Sequence, residues 1–492
     1  MTKKYNICME RNLDLIREEL LEALKNKNYL KIKEIFNNYA PIDIAESLRD
    51  IDEDDSDVIK SIIPIFRIVK PSITSEFFSE LEPAFQEKII SSLNNEEVAS
   101  LVHESSNDEL ADFIEEWPAN VVDKVLKNAS KDQRNDINKL LGYKDDTAGS
   151  IMTTEYITLL DSYTVSQAFQ IIRSIGKTAE TIYTLFVKNK KFDLVGVLNL
   201  DDLVFAEPDQ NIIDIANKNF LTVNVNTDQE EVAQLFKRYD LNAIAVLNED
   251  KKLTGIITID DIVDVIEAEN SEDIEAMANV APLDDSYMNT PVFRLAFKCI
   301  PWLIVLMVLN IGSIFLQDQF QFLIGTLTAI SVFLTTLCDT GGNSGSQSST
   351  LIIRGLATKD FELKDYFKVL WKEFRVALIV SSITAIFTFG FCMFMFWVNI
   401  INIPSDFKPI AGGEPEYLVW ITLAGTVTIS IFVTILLSKI IGASLPFLIS
   451  KMKLDPAVVT GPLITTIMDL ITLTTYFLLL WGAFQIFWGN YF

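Results

Sequence analysis

One carboxylate stands where carboxylates are rarely tolerated. The stretch from Asp455 to Tyr476 reads D-P-A-V-V-T-G-P-L-I-T-T-I-M-D-L-I-T-L-T-T-Y, and it opens an otherwise uncharged apolar run that continues to Phe487. Such a run is long enough to cross a bilayer, which takes about 20 residues. Asp469 lies roughly 18 Å along the helix from Ala457, near mid-depth. An acid there costs on the order of 2.5–3.5 kcal/mol even on the lenient insertion scale. Helical spacing puts Gly461, Thr465, Asp469, Thr472 and Tyr476 on one face. A carboxylate on a stripe of small and hydroxyl residues reads as the wall of a wet pathway for cations; the alternative is an Asp satisfied by an interhelical hydrogen bond or ion pair. No Lys or Arg lies deep in another apolar run to pair with it, which favours the pathway. Gly461-Pro462 breaks the helix on the approach, and broken helices at membrane depth line protein or a cavity.

The metal chemistry open to the chain is bounded by its composition. Four cysteines (Cys8, Cys299, Cys338, Cys392) share no ligand spacing and His103 is the only histidine. This excludes a His-rich site or a thiolate zinc cluster and fits a reducing compartment. A metal must therefore be hard and oxygen-liganded. The charge is divided unevenly: residues 1–290 hold 56 acidic and 29 basic side chains, residues 291–492 hold 11 and 12. An acidic soluble half thus precedes a nearly neutral membrane half, a balance that argues against nucleic acid and favours cation binding. The opening M-T-K-K-Y-N lacks an apolar signal region, so the acidic half is expected to stay in the cytosol.

The elements that must position these residues follow in order. Residues 1–50 read as amphipathic helix, for example Leu13-Ile16-Leu20-Leu24. From about residue 70 a repeat of roughly 12 residues appears, with breaker or cap positions at Pro83, Asn94, Ser106, Pro118 and Ser130. Asn94 with Glu97 and Ser130 with Gln133 fit capping boxes. The pattern predicts a stack of short helices, a small α-solenoid, over residues 1–146, with an irregular helical bundle as the alternative. Asp108 and Asp112 fall on one helix face within it.

Residues 147–273 contain two related halves, 147–208 and 209–273. Gly196-Val-Leu-Asn-Leu-Asp-Asp-Leu203 recurs as Gly255-Ile-Ile-Thr-Ile-Asp-Asp-Ile262. Each half predicts a short strand, a turn, a second strand and an Asp-capped helix. This resembles a tandem CBS pair, a regulatory module that often binds adenine nucleotides through a G-h-h-T-x-x-D pattern. The second copy matches through Gly255, Thr258 and Asp261, so the resemblance implies ATP at those residues; the first copy carries Asn199 in place of Thr. The run from Asp260 to Asp273 is dense in carboxylates, and like charges at i, i+4 cost a few tenths of a kcal/mol each unless neutralised. A polar connecting helix is expected over 274–291.

Five spans are expected over 292–492, with uncharged cores Cys299–Leu316, Phe322–Cys338, Val376–Val398, Tyr417–Leu437 and Ala457–Phe487. Basic residues before the first span (Arg294, Lys298), between the second and third (Arg354, Lys359, Lys364, Lys368, Lys372, Arg375) and between the fourth and fifth (Lys439, Lys451, Lys453) fall on the side of the acidic half. This predicts an N-terminus inside and a C-terminus outside. The segment from Asp339 to Gly355, D-T-G-G-N-S-G-S-Q-S-S-T-L-I-I-R-G, reads as close backbone approach and tight helix packing. It lacks the Lys of a phosphate loop.

G-G-N-S-G-S-Q-S-S-T-L-I-I-R-G-L-A, I-E-A-E-N-S-E-D-I and L-D-P-A-V-V-T-G-P-L-I-T-T-I-M-D, three motifs in order, resemble the MgtE family of magnesium channels across essentially the whole chain. The resemblance implies a multidomain protein: a helical N-domain superhelix, a tandem CBS pair, a connecting plug helix and five transmembrane helices. It further implies a homodimer in the lipid of the bacterial inner membrane, with a pore on the dimer axis that closes when cytosolic Mg²⁺ bridges the acidic domains. By motif, Asp469 resembles the pore carboxylate, with Gly461 and Thr465 as its pore-lining neighbours. Asp455 resembles the partner of Asp273 in a bridging site. Asp108, Asp112, Glu230, Asp240, Asp261, Asp264, Glu269 and Glu272 match regulatory metal-binding carboxylates. Thr335 stands where the family pattern has Pro, and Asp339 where it has a small neutral residue.

The chemistry agrees independently, because Mg²⁺ dehydrates reluctantly and keeps several waters while one or two carboxylates bind it. The leading reading is a transporter, not an enzyme: a Mg²⁺-selective channel gated by cytosolic Mg²⁺, with Mn²⁺, Co²⁺ or Ni²⁺ as further candidate cations. A coupled secondary transporter or exporter of divalent cations, and a membrane-anchored nucleotide sensor, are the alternatives.

Overall fold

The twelve-residue spacing emerges directly in the computed structural model of the protein. Helices begin at Pro71, Pro83, Asn95, Asn107, Ala119 and Lys131, each twelve residues after the last. Asn94 accepts from the Glu97 amide while the Glu97 carboxylate accepts from Asn94, and Ser130 and Gln133 repeat this box. Proline at the first helical turn starts the helices at Pro71 and Pro83, where its missing N–H is no loss. From Pro83 onward the helices have ten residues and the connections two, and alternate members of the stack pack on each other, which is the solenoid arrangement. Residues 13–49, 56–278, 290–326, 329–401, 415–456 and 461–489 are described, with isolated positions (280–283, 287, 403, 408–411, 413) between them. Cys8, Phe492 and the Ala457–Thr460 part of the last apolar run lie outside the described residues.

The chain divides into two compact units, Met1–Glu267 and Ala268–Phe492. In the first, each half of the internal repeat builds the same three-stranded sheet. Strands β1 (Thr158–Leu160), β2 (Thr184–Lys188) and β3 (Leu194–Asn199) are matched by β4 (Thr222–Asn224), β5 (Ala243–Leu247) and β6 (Leu253–Thr258). In both, the first strand runs parallel to the second and the third antiparallel to it. The repeat glycines hold equivalent register, Gly196 opposite Val187 and Gly255 opposite Val246, each beside a bulge. The solenoid and the second copy share one core, joining residues such as Val102 and Leu140 to Met152, Val232 and Ile262. The first copy keeps its own, around Leu185, Leu198 and Leu203.

The expected separate connecting helix differs. One helix runs continuously from Ile259 to Met277, so the described helical part of 274–291 is the last turn of the helix that closes the second copy. The absence of any breaker between Asp260 and Met277 lets the helix propagate.

In the second unit, four helical segments among the described residues are long and apolar enough to cross a membrane: Val292–Gln319, Leu363–Trp397, Glu416–Lys451 and Gly461–Trp488. The first is two abutting helices, Val292–Leu309 and Ile311–Gln319. The region expected to hold the second span is a short helix, Gln321–Thr326, followed by Ala329–Ala357. Small residues from Gly341 to Gly355 therefore lie inside a helix. Their spacing lets backbones meet: a Cβ on Gly442 would lie 2.3 Å from the Gly345 carbonyl oxygen. Lys439, expected in a basic loop, sits inside Glu416–Lys451 and is 4% exposed. There it donates to Ser348 Oγ at 3.2 Å, and Ser348 donates to Glu373 at 2.9 Å. Burying a lysine is tolerated because this three-helix chain supplies its partner. Apolar length located the span end too early here, since a paired charge can extend a buried helix.

Candidate functional sites

The helix Gly461–Trp488 places Thr465, Asp469 and Leu473 one turn apart. With Thr335, Cys338, Asp339 and Gly342 of the Ala329–Ala357 helix, they line a cavity of about 560 Å³. Gly342 lets the two helices meet, since a Cβ there would fall 2.7 Å from Thr465 Cγ2. The Cys338 thiol and the Asp339 carboxylate lie close enough to the Asp469 carboxylate to act on it. An acid flanked by a thiol and a second acid is poorly satisfied by protein alone. That arrangement suits a hydrated cation.

The face read from spacing splits in two. Thr465 and Asp469 meet the cavity, but Thr472 and Tyr476 turn into the bundle and are fully buried. Tyr476 Oη donates to the Ile330 carbonyl at 3.1 Å, and Thr472 lies against Gly341. A helix advances 100° per residue, so the i+4 stripe through Leu473 and the i+3 stripe through Thr472 diverge, and packing decides which one stays open. Gly461 is not among the cavity-lining residues.

In the same unit Asp273, near the end of the Ile259–Met277 helix, is held above the usual carboxylate range by partial burial and then by the charges of Asp455 and Glu272. A carboxylate raised by a facing carboxylate stands where a cation could neutralise both.

A second acidic group forms where the solenoid packs on the CBS pair. Asp108 is deeply buried, which pushes its carboxyl up against the opposing hydrogen bonds of Thr153 and Ser106. Its Oδ1 has no hydrogen-bond partner. Burial, then the charge of Asp108, pushes Asp112 up to about 7. Burial likewise takes Glu155 to about 7 and Glu180 to about 8, with Asp108 again the next cause for each. Asp261 reaches about 6, held back by the hydrogen bond that Thr258 donates at 2.6 Å. Asp264 instead faces the solenoid at Glu80, whose carboxyl is raised by burial and then by the Asp264 charge. Glu155 and Glu180 were not anticipated from the sequence. No local pattern marks them, although the Glu180 amide donates to the Glu155 carbonyl at 2.8 Å and couples the two segments. Glu230 lies in the first turn of Gln229–Tyr239, accepting from Gln234 at 3.1 Å. Glu269 is half-buried and Glu272 exposed on the Ile259–Met277 helix. Among the described residues, no three His, Cys, Asp or Glu side chains converge in a geometry that would hold a metal ion.

The nucleotide corner expected at Gly255, Thr258 and Asp261 is filled. A Cβ at Gly255 would fall 2.5 Å from Met152 Sδ, Thr153 pairs with Ile256, and Asp261 belongs to the acidic group. An open cleft, of about 1030 Å³, lies between the two copies instead, lined by Tyr183, Asn199, Asp201 and Phe205 of the first and by Phe220, Tyr239 and Asp240 of the second. Asp240, in left-handed backbone at φ 50°, caps the helix beside it.

Comparison with known proteins places these sites in context. A divalent cation transporter family model, MgtE, matches residues 334–479; the MgtE intracellular N domain matches 39–146, and the CBS domain matches 148–209 and 212–268. The magnesium transporter MgtE of Thermus thermophilus is 30% identical over 461 residues, covering 93% of this chain and 96% of that one. The chain belongs to the MgtE family. Other MgtE relatives are the magnesium transporters of Bacillus subtilis, 29% identical over 82% of this chain and 84% of its own, and of Enterococcus faecalis, 32% over 70% and 71%. Among solved structures, the soluble part of a magnesium transporter (30% identity, 52% of this chain and 99% of that one) superimposes with a TM-score of 0.48. The cytosolic domain of the Mg²⁺ channel MgtE in complex with ATP gives 0.47 at 29% identity, covering 51% and 99%.

Proposed function

We propose that this MgtE-family protein carries Mg²⁺ across the membrane as a homodimeric channel, with Asp469 holding the hydrated ion on its path. The observation that carries the reading is the cavity of about 560 Å³ in which Asp469, Asp339 and Thr465 face one space. Mg²⁺ keeps its inner waters, so a few oxygen donors at water-mediated distance are what it needs; a dehydrating Ca²⁺ cage takes six to eight. The closed state is the one in which cytosolic Mg²⁺ neutralises the acidic groups. Around Asp108, Asp112 and Asp261 it draws the solenoid and CBS pair together. Between Asp273 and Asp455 it fixes the helix end beside the last span. The raised carboxyls of Asp112 and Asp273 support this, since each is raised in part by neighbouring carboxylates. Five spans, with the N-terminus in the cytosol, complete the arrangement.

Replacing Asp469 with Asn tests the reading. Mg²⁺ uptake into proteoliposomes is expected to be lost while the dimer still assembles, and wild-type flux in D469N would refute it. Uptake that follows the electrochemical gradient without Na⁺ or H⁺ dependence distinguishes a channel from a coupled transporter.

The cleft between the two CBS copies fits an adenine nucleotide. Tyr183, Phe205 and Tyr239 offer aromatic surface, and Asn199 and Asp201 stand at the strand end where ribose hydroxyls would be held. No Lys or Arg is among its lining residues, so a polyphosphate would enter there with Mg²⁺ as its counter-ion.

A further inference from the structure

The walls of the cleft between the two CBS copies carry charge of one sign. Asp201 and Asp240 line it, and no Lys, Arg or His does. The bases nearest in sequence stay off the wall. The Arg238 guanidinium lies over the Tyr239 ring, 5.7 Å from its centroid, and Lys218, between the lining residues Asn217 and Asn219, is not one of them. The helix Gln229–Tyr239 ends on the cleft at Tyr239 and Asp240, so its carbonyl end adds partial negative charge. The neutral part of the wall is suited to a base and a sugar. Tyr183, Phe205 and Tyr239 leave 65%, 88% and 50% of their surface exposed, aromatic faces that a flat ring can cover. Asn199, Asn217, Asn219 and Asn242 bring side-chain amides, each both donor and acceptor.

We propose that this cleft selects its ligand by charge: it takes the uncharged adenine nucleoside in preference to free adenine polyphosphates. The proposal rests on the adenine reading above and narrows it. A carboxylate is a good acceptor for ribose hydroxyls and a poor neighbour for phosphate. Two like unit charges about 8 Å apart in water at physiological salt weaken binding by roughly 1.4-fold. Several phosphate charges set against Asp201 and Asp240 multiply this to on the order of tenfold. Nothing on the wall offsets that repulsion, because its remaining polar groups are neutral amides, hydroxyls and backbone. Adenosine brings no charge and needs no counter-ion.

The test is calorimetric titration of the purified full-length protein with adenosine and with ATP, both in chelator. Adenosine should bind about tenfold more tightly than free ATP. D240N removes one carboxylate at a left-handed position that Asn adopts readily, so the fold is kept. It should tighten free ATP by about threefold and move adenosine by less than about twofold. Y183A strips one exposed aromatic face and should weaken adenosine by about fivefold or more, the scale of base stacking on an aromatic side chain. Free ATP that binds as tightly as adenosine to the wild type overturns the proposal and leaves the adenine reading standing. So does a D240N variant whose ATP affinity is unchanged. Adenosine binding that Y183A does not weaken puts the ligand outside this cleft and overturns the proposal too. If neither compound binds, the adenine reading itself fails and the proposal falls with it.

Discussion

Replacing Asp112 with Asn isolates the electrostatic cost built into the packing of the solenoid on the CBS pair. Asp112 is pushed from 3.8 to about 7, by burial first and then by Asp108 and other carboxylates. The shift of about 3 units corresponds to roughly 4 kcal/mol at 1.36 kcal/mol per unit. Asp112 is itself exposed at the edge of the group, so solvent screening and proton sharing with Asp108 reduce that to about 1–2 kcal/mol. The sign follows from linkage: a carboxyl whose folded pKa is raised binds more protons in the folded state. Stability is therefore full below about pH 4, where both states are protonated, and falls as pH rises through about 7. At pH 8 without divalent cations the wild type bears the whole cost, and D112N, a permanent mimic of the neutral form, bears none. At about 2–4 °C per kcal/mol for a unit of this size, D112N should melt roughly 2–8 °C higher at pH 8, with the gap closing towards pH 4. The assay is thermal unfolding of the N-terminal segment, residues 1–278, by circular dichroism at both pH values with and without Mg²⁺. Mg²⁺ should raise the wild-type melting temperature more than that of D112N, because the ion discharges the carboxylate the variant lacks. Equal melting of the two proteins at pH 8 in chelator would refute the reasoning.

Two further outcomes test the gate and the topology. Neutralising Asp261, Asp264, Glu269 and Glu272 together should leave conduction intact but remove inhibition by millimolar Mg²⁺, read as patch-clamp open probability. A site tenfold above its Kd contributes about 1.4 kcal/mol, so four weak sites approach the roughly 5.5 kcal/mol of a 1:99 to 99:1 swing. Closure of both proteins over one Mg²⁺ range would reduce the cluster to a solvated face. A tag after Phe492 should be reachable only from outside intact cells; its protection would rule out five spans with a cytosolic N-terminus.

Much of the architecture is local and so is legible in the chain. Caps and helix starts depend on a few neighbouring side chains, which is why Asn94–Glu97 and Ser130–Gln133 mark the solenoid before any fold is known. The doubled CBS pattern is equally readable, because matching glycines and strands recur at fixed separation. An unpaired acid in a long apolar run identifies itself by its cost, as Asp469 does. What lies between elements is not legible. Glu155 and Glu180 join Asp108 only through packing of segments far apart in sequence. The pairing of Lys439 with Ser348 and Glu373 needs three helices in place, so the lysine reads as a loop charge until they are assembled. Periodicity groups Thr465, Asp469, Thr472 and Tyr476 on one broad face, but neighbouring helices cover half of it and leave Thr465 and Asp469 open. The meeting of Cys338 with Asp469, and of Asp112 with Asp261, belongs to the tertiary structure alone, because burial and charge act through space while the chain lists residues in line.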